Sequence, residues 1–177
     1  MTRRKILLTS TLGLIAALVA SLAGNPSALA IGPDEEQVEL ASALSGAKVS
    51  LQQGFTASER EGQPISGKFE IDNGKLQLSV YTSKEGKFFE VIVDHMTGSI
   101  AKVEPITEGD DLTHAKSQKA AIDKAKVKLA DAATKAKGEA AEVIVVSAVP
   151  ELKNDRPEAA VMLLQGKRFS TASEPLD

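Results

Sequence analysis

Apolar side chains recur with the period of a helix in two parts of this chain. The first run forms one stripe, made of Leu40, Leu44, Ala47, Leu51 and Phe55. Gly46 and Gly54 weaken a helix here, so the pattern predicts two shorter pieces, with Ser50 capping the second. A glycine on such a stripe also allows the helix to approach a sheet closely.

The second helical run covers residues 113–137. Its apolar stripe is made of Ile122, Ala125, Leu129, Ala132 and Ala136. The spacing predicts one continuous helix, preceded by a linker at residues 105–111 and ended by Gly138 at the C-terminal cap.

Between the two helical runs, the apolar positions take the period of two that is typical of strands. The pattern predicts strands at residues 65–71, 75–80, 87–94 and 99–104. The first two are joined by Asp72-Asn73-Gly74, because Asn-Gly supplies the positive φ angles of a tight hairpin turn.

Two of these strands divide their side chains between the faces differently. In the second strand, the expected core residues are Leu76, Leu78 and Val80, and the expected outward residues are Lys75, Gln77 and Ser79. Residues 87–94 are apolar on both faces, as expected of a strand that is central or covered twice. Phe88 and Ile92 on the far face need a cover, from the second part of the chain or from a partner.

The order of a helix followed by antiparallel strands occurs twice, because strands are also predicted at residues 143–149, 159–164 and 167–172, with a turn at 150–155. Two short sequences are echoed as well. Ala47-Lys48-Val49-Ser50-Leu51 is echoed by Ala125-Lys126-Val127-Lys128-Leu129, and Gly86-Lys87-Phe88-Phe89 by Gly166-Lys167-Arg168-Phe169. Together these features predict an internal duplication.

The first thirty residues have the composition of a signal peptide. Arg3, Arg4 and Lys5 form a positive segment, residues 6–22 are mostly apolar, and Ala28-Leu29-Ala30 has the small-x-small cleavage pattern. We predict a signal peptide over residues 1–30 that directs export by the general secretory route and is cleaved after Ala30. The alternatives are an uncleaved membrane anchor and twin-arginine export.

Charge and cysteine content restrict the partners. The whole chain carries a formal charge of −3, and removal of three basic residues with the signal peptide leaves −6. This charge disfavours nucleic acids and anionic membrane surfaces as partners. The chain has no cysteine, so an exported protein of this sequence depends on its core without disulfides.

Residues 86–98 resemble the signature of the PepSY domain family. In that family an aromatic-Glu-Val strand runs into Val-Asp-x-x-Thr-Gly, and this chain has Phe89-Glu90-Val91 followed by Val93-Asp94-His95-Met96-Thr97-Gly98. The resemblance implies an α+β fold of two tandem PepSY-like repeats, each a helix packed on an antiparallel sheet. The first repeat would occupy residues 31–106. The second, residues 107–177, would be degenerate because it lacks the Asp-x-x-Thr-Gly turn.

The resemblance also implies a cellular setting. PepSY domains occur in the propeptides of thermolysin-like metallopeptidases, so we expect an exported, non-enzymatic binding or regulatory module of the bacterial cell envelope, acting on an envelope protein or a peptidase. PepSY segments also occur in membrane proteins linked to iron uptake. The alternative is therefore a periplasmic metal- or small-ligand-handling protein. The expected location is the periplasm or the medium.

Asp94-His95 is the most reactive-looking pair in the sequence. With His114, this pair would supply ligands for a metal ion. No sequence spacing provides the third ligand that such a site needs, and adjacent residues of a strand point to opposite faces. We therefore expect structural turn roles for both residues. No Gly-x-Ser-x-Gly motif and no phosphate-binding glycine loop is present, so we predict no catalytic, cofactor or metal residues.

The second helical run is rich in lysine between residues 112 and 138. The lysines are Lys116, Lys119, Lys124, Lys126, Lys128, Lys135 and Lys137, against only Asp123 and Asp131. This charge would suit an acidic partner or a membrane surface. The favoured interpretation is a solvated outer face whose charge is neutralised by acids elsewhere in the chain.

Overall fold

A computed structural model describes residues 35–177 as four helices and seven strands. The helices are α1 (Glu35–Leu44), α2 (Leu51–Ser58), α3 (Gly109–Lys124) and α4 (Leu129–Lys137). The strands are β1 (Gln63–Asp72), β2 (Lys75–Lys84), β3 (Lys87–Val93), β4 (Ile100–Ile106), β5 (Val143–Lys153), β6 (Arg156–Gln165) and β7 (Arg168–Pro175).

The predicted signal peptide at residues 1–30, and the alternative that it is a membrane anchor, lie outside the described residues. Within residues 35–177, no helix is long and apolar enough to cross a bilayer.

All seven strands belong to one antiparallel sheet with the order β4-β3-β2-β1-β5-β6-β7. We call residues 35–106 the first half and residues 107–177 the second half. The halves meet where β1 pairs with β5, with Gly67 opposite Ala148 and Lys68 opposite Ser147. The expected α+β class is confirmed, and the strands of both halves form a single continuous sheet.

Helices cover both faces of the sheet. Gly67 points to α2, because a Cβ built on it would lie 2.6 Å from Phe55 Cε1. Its neighbour Ser66 points the other way and donates a hydrogen bond of 2.7 Å to Gln118 of α3. We call these the α2 face and the α3 face. The helix α4 lies on the α2 face, where its Lys135 forms an ion pair with Glu174 of β7.

The first helical run is broken as predicted. Ser50 caps α2, since its Oγ accepts the N–H of Gln53, and the Gln53 side chain accepts the N–H of Ser50 in return. Gly54 gives the expected close approach, because a Cβ there would lie 2.9 Å from Cδ2 of Leu78.

The prediction of one helix over residues 113–137 was wrong. The helix α3 ends at Lys124, and α4 begins at Leu129. The chain turns between them because the N–H groups of Lys126 and Val127 donate to the carbonyl of Leu176, at 2.6 and 3.0 Å. Gly138 ends α4 as predicted, with a φ of 61°.

Three strand details also differ from the predictions. Ser79 is buried, 1% exposed, because the α3 face is covered too. The predicted turn at 150–155 is narrower, since β5 continues to Lys153 and only Asn154 and Asp155 take the positive φ angles of the turn. The predicted linker at 105–111 is shorter, because β4 continues to Ile106 and α3 begins at Gly109.

Strand pairing in the two halves follows the same register, 81 positions apart. Ser66 lies opposite Tyr81, and Ser147 lies opposite Met162. Likewise, the pairs at the β1–β2 and β2–β3 turns, Asp72–Lys75 and Lys84–Lys87, correspond to Lys153–Arg156 and Gln165–Arg168. The strands β1, β2 and β3 therefore have β5, β6 and β7 as counterparts.

The segments between the helices correspond as well, 78 positions apart. Lys48 and Val49 donate their N–H groups to the carbonyl of His95, as Lys126 and Val127 do to that of Leu176. The first echoed sequence, Ala47–Leu51 and Ala125–Leu129, therefore lies at matching places in the two halves, whereas the Gly86 and Gly166 echo is displaced by one residue from the structural register. The second half has no counterpart of β4.

Candidate functional site

The segment that resembles the PepSY signature forms a closed turn after β3. Asp94 Oδ1 accepts the N–H groups of Met96 and Thr97, at 2.8 and 2.9 Å. The backbone of Asp94 closes the turn on both sides, through bonds to Gly98 and Ser99. These bonds to the carboxylate lower the pKa of Asp94. The expected structural role of Asp94 is therefore what the contacts show.

His95 and His114 do not come together with Asp94 as a metal site. The His95 carbonyl accepts two N–H groups from the α1–α2 connection. Nδ1 of His95 and Nδ1 of His114 are both buried without a hydrogen-bond partner. Within the described part of the chain, no three His, Cys, Asp or Glu side chains are grouped so that they could hold a metal ion.

An open groove of about 460 Å³ lies beside this turn, between it and the β1–β2 hairpin. Polar and apolar side chains both line it, among them Lys75, Gln77, Ile92 and His95. Met96 at its rim is 44% exposed. The groove is too open to exclude water, so it suits a surface contact better than chemistry on a small substrate.

A polar cluster that the sequence analysis did not identify lies on the α3 face. The Tyr81 hydroxyl donates to Asp111 of α3 at 3.0 Å. The Ser79 hydroxyl donates to Glu70 at 2.9 Å, and Lys68 forms an ion pair with the same carboxylate. Tyr81 and Ser79 are 5% and 1% exposed. Two strands and one helix therefore meet through buried polar contacts.

Burial and neighbouring acids shift the acidities in this cluster. Burial, and then the charges of Glu90 and Asp111, raise the pKa of Tyr81, so the phenol remains a donor. Burial is also the main cause that raises the pKa of Glu90. Glu90, inside the otherwise apolar run 87–94, was the one indication of this cluster in the sequence. A carboxyl group on a covered strand requires hydrogen-bonding or charged neighbours.

The cluster has the chemistry of a joint between α3 and the sheet. The carboxylate of Asp111 is bonded to Tyr81, that of Glu70 is bonded to Ser79 and Lys68, and no nucleophile in the cluster is paired with a base. The helix α3 packs mainly over β5, β6 and β1 and reaches β2 through Tyr81, so it does not supply the expected cover for the far face of β3. Phe88 and Ile92 remain half-buried.

The lysine-rich segment is largely neutralised within the chain. Lys119 pairs with Asp123, Lys124 with Asp155, Lys128 with Glu59 and Lys135 with Glu174. Because α3 and α4 cover opposite faces of the sheet, these lysines do not form one basic surface. The favoured interpretation of a solvated, internally neutralised segment agrees with these contacts.

The two edges of the sheet differ. The strand β4 forms one edge and contains Pro105, together with an ion pair of 2.8 Å between Lys102 and Glu104. The strand β7 forms the other edge, and proline occurs in it only at its last residue, Pro175. In the described residues, no strand lies beside the outer edge of β7.

No protein-family model, curated protein or solved structure matches this chain.

Proposed function

We propose that this protein is an exported, non-enzymatic binding and regulatory module of the bacterial cell envelope, built from two tandem PepSY-like repeats. The matching registers and connections of the two halves support the duplication. The second repeat is degenerate because Pro175 and Leu176 stand where the first has Asp94 and His95.

The observation that carries the binding function is the open edge of β7. The counterpart of β7 is β3, and the outer side of β3 is paired with β4 from Phe88–Ile106 to Val93–Ile100. The second half lacks this strand. An extended segment of a partner would complete the sheet by forming the backbone hydrogen bonds that β4 forms with β3.

The partner to test first is a thermolysin-like metallopeptidase, because the PepSY resemblance places such domains in the propeptides of these enzymes. The described residues 35–177 belong to one compact unit, so a chain of residues 32–177 is suitable for the assay. We expect this protein to slow hydrolysis of a protein substrate in a saturable manner. Unchanged hydrolysis at saturating protein would count against the peptidase version.

Two adjacent proline variants form a matched pair for locating the binding edge. In a strand, consecutive N–H groups point to opposite sides, so in β7 one of Ser170 and Thr171 donates outward and the other toward β6. We expect one of Ser170→Pro and Thr171→Pro to lower the melting temperature and the other to leave it nearly unchanged. The variant that keeps its melting temperature should lose inhibition.

We do not extend the proposal to metal or small-ligand handling. Asp94 is occupied by the turn, and His95 and His114 find no further ligands in the described segment.

A further inference from the structure

We propose that the outer edge of β7 pairs with β7 of a second copy of this chain, antiparallel and centred on Thr171. The two seven-stranded sheets then form one continuous sheet across a two-fold axis. This inference rests on the proposed function in one respect, because both use the outer edge of β7. The second copy would occupy that edge when no other partner is bound. A partner and a second copy would compete for it.

The internal correspondence shows what the edge of β7 lacks. Leu78 lies opposite Val93 in the first half, and Ala159 lies opposite Glu174 in the second, so β3 and β7 pair in the same register with their inner neighbours, β2 and β6. On the outer side, β3 has an antiparallel strand and β7 has none in the described chain. The geometry of this sheet thus accommodates an antiparallel strand at the place where the second copy would add one.

The other edge carries devices that oppose pairing, and β7 does not carry them along its length. Pro105 removes a backbone donor near the C-terminal end of the β4 edge, and Lys102 and Glu104 place charges on it. From Arg168 to Glu174, β7 has seven consecutive residues with a backbone N–H and small polar side chains at its centre. The edge of β7 is the one suited to adding a strand.

The sequence of β7 is complementary to itself in this register. Antiparallel pairing centred on Thr171 places Arg168 opposite Glu174 of the second copy, and the two-fold axis repeats this pair. At the centre, Thr171 meets its own copy, a cross-strand pair that threonine favours.

Arg168 and Glu174 also lie on the same face of the sheet, as a cross-strand ion pair requires. Gly67 on the α2 face is opposite Ala148, which is opposite Val161, which is opposite Ala172. Partners across a ladder share a face, and every second residue of a strand does too, so Arg168 and Glu174 project on the α2 face with Ala172. Glu174 is already paired with Lys135 at 2.8 Å, and Arg168 of the second copy would extend that pair.

Sedimentation velocity of residues 32–177 over a range of concentrations tests the dimer. We expect a reversible monomer–dimer equilibrium, and Arg168→Glu or Glu174→Arg should each weaken it, because either change creates two repulsive pairs per dimer. Two pairs that each change by a few tenths to one kcal/mol correspond to about a tenfold rise in the dissociation constant. An equimolar mixture of the two variants should recover dimerisation, since both cross-strand pairs are then attractive.

Two controls make the test specific to this edge. Lys102→Glu reverses a charge on the β4 edge and should leave the dissociation constant unchanged. The chain has no cysteine, so Thr171→Cys and Val103→Cys introduce single thiols on the two edges. A short bismaleimide should cross-link the Thr171→Cys protein and leave the Val103→Cys protein monomeric.

A protein that stays monomeric at all concentrations overturns the inference, as does a dimer that ignores both charge reversals and the Thr171→Cys linkage. The proposed function is distinguished by the peptidase assay. If the protein is monomeric and still inhibits the peptidase, the proposed function stands and the dimer is rejected. A charge-sensitive dimer without effect on the peptidase supports the dimer and counts against the peptidase version.

Discussion

The same place in the two halves of the sheet is filled in two different ways. In the first half, Phe55 of α2 lies over Gly67 of β1, which has no side chain. At the corresponding positions, the second half has Ala133 in α4 and Ala148 in β5. The first half thus has a large side chain on the helix and none on the strand, whereas the second half has a methyl group on each. The register is kept, although Phe55 and Gly67 together have more side-chain volume than the two alanines.

The polar cluster shows a second difference between the halves. Tyr81 and Glu90 lie opposite each other in the first half, and Met162 and Thr171 occupy the corresponding pair. The first half therefore places ionisable groups on the α3 face where the second places none. A common backbone tolerates both solutions because the buried hydroxyls of Tyr81 and Ser79 in the first half each donate to a nearby carboxylate.

The largest effect is expected from Phe55→Ala. Phe55 is 2% exposed, and its loss would leave a cavity over Gly67, so we expect unfolding to become easier by about 3–5 kcal/mol. Urea unfolding measures this. Phe55→Ala copies the helix side of the second half without the strand side, so adding Gly67→Ala should recover part of the loss.

Gly67→Ala alone should have the next largest effect. Its new Cβ would lie 2.6 Å from Phe55 Cε1, and overpacking of this kind costs about 1–3 kcal/mol. The matched background is Phe55→Ala, which removes the ring that the new Cβ would meet. If Gly67→Ala costs as much in the Phe55→Ala background as in the native protein in urea unfolding, the proposed overpacking is wrong.

The helix caps should give a smaller difference. Ser50 caps α2 through its side chain, so Ser50→Ala should cost about 1 kcal/mol in urea unfolding. Lys128 occupies the N-cap of α4 without a side-chain cap bond. Lys128→Ala should therefore be nearly neutral, and Lys128→Ser should stabilise the protein. A loss from Lys128→Ala equal to that from Ser50→Ala would contradict the assignment of the cap.

The smallest effect should be a change in pH dependence caused by Glu90→Gln. Because folding raises the pKa of Glu90, its protonated form favours the fold. That stabilisation is complete below the unfolded pKa of about 4.3 and is lost as the pH rises through the folded pKa. Asp94 acts in the opposite sense, since its pKa is lowered and its contribution is lost as the pH falls. In urea titrations between pH 4 and 7, Glu90→Gln should therefore raise the free energy of unfolding at neutral pH relative to its value in acid.

The Asp94 contribution provides the control for that measurement. Asp94→Asn should remove the loss of stability that accompanies acidification and should leave the Glu90 contribution in place. An unchanged pH profile in Glu90→Gln would show that Glu90 is not the group responsible.

Local features of the fold were predictable where neighbouring residues decide them. Ser50 and Gln53 form a cap within four residues, and Asn73-Gly74 forms a turn within two, so both were read from the sequence. The break between α3 and α4 was missed, although Ala125-Lys126-Val127 echoes the sequence at the first break. The echo did not reveal the reason for the break, which is the carbonyl of Leu176, about fifty residues further along the chain.

The candidate site was less predictable than the fold. The turn role of Asp94 was expected, because an aspartate bonds readily to the backbone two and three residues ahead. The cluster around Tyr81 was not expected, because Ser79 was placed on an outward face. Side chains from β1 and α3 gather on that face, and no periodicity within β2 contains that information.

By itself, the sequence determined the α+β class, the caps, the hairpin turns and the alternation along most strands. These depend on contacts between residues close in the chain, where residue type and spacing are sufficient. The tertiary structure alone decided that the halves share one sheet, that α3 and α4 cover opposite faces, and that β7 has an open edge. Those features depend on pairing between distant segments, such as Gly67 with Ala148, and many different pairings satisfy the same local pattern.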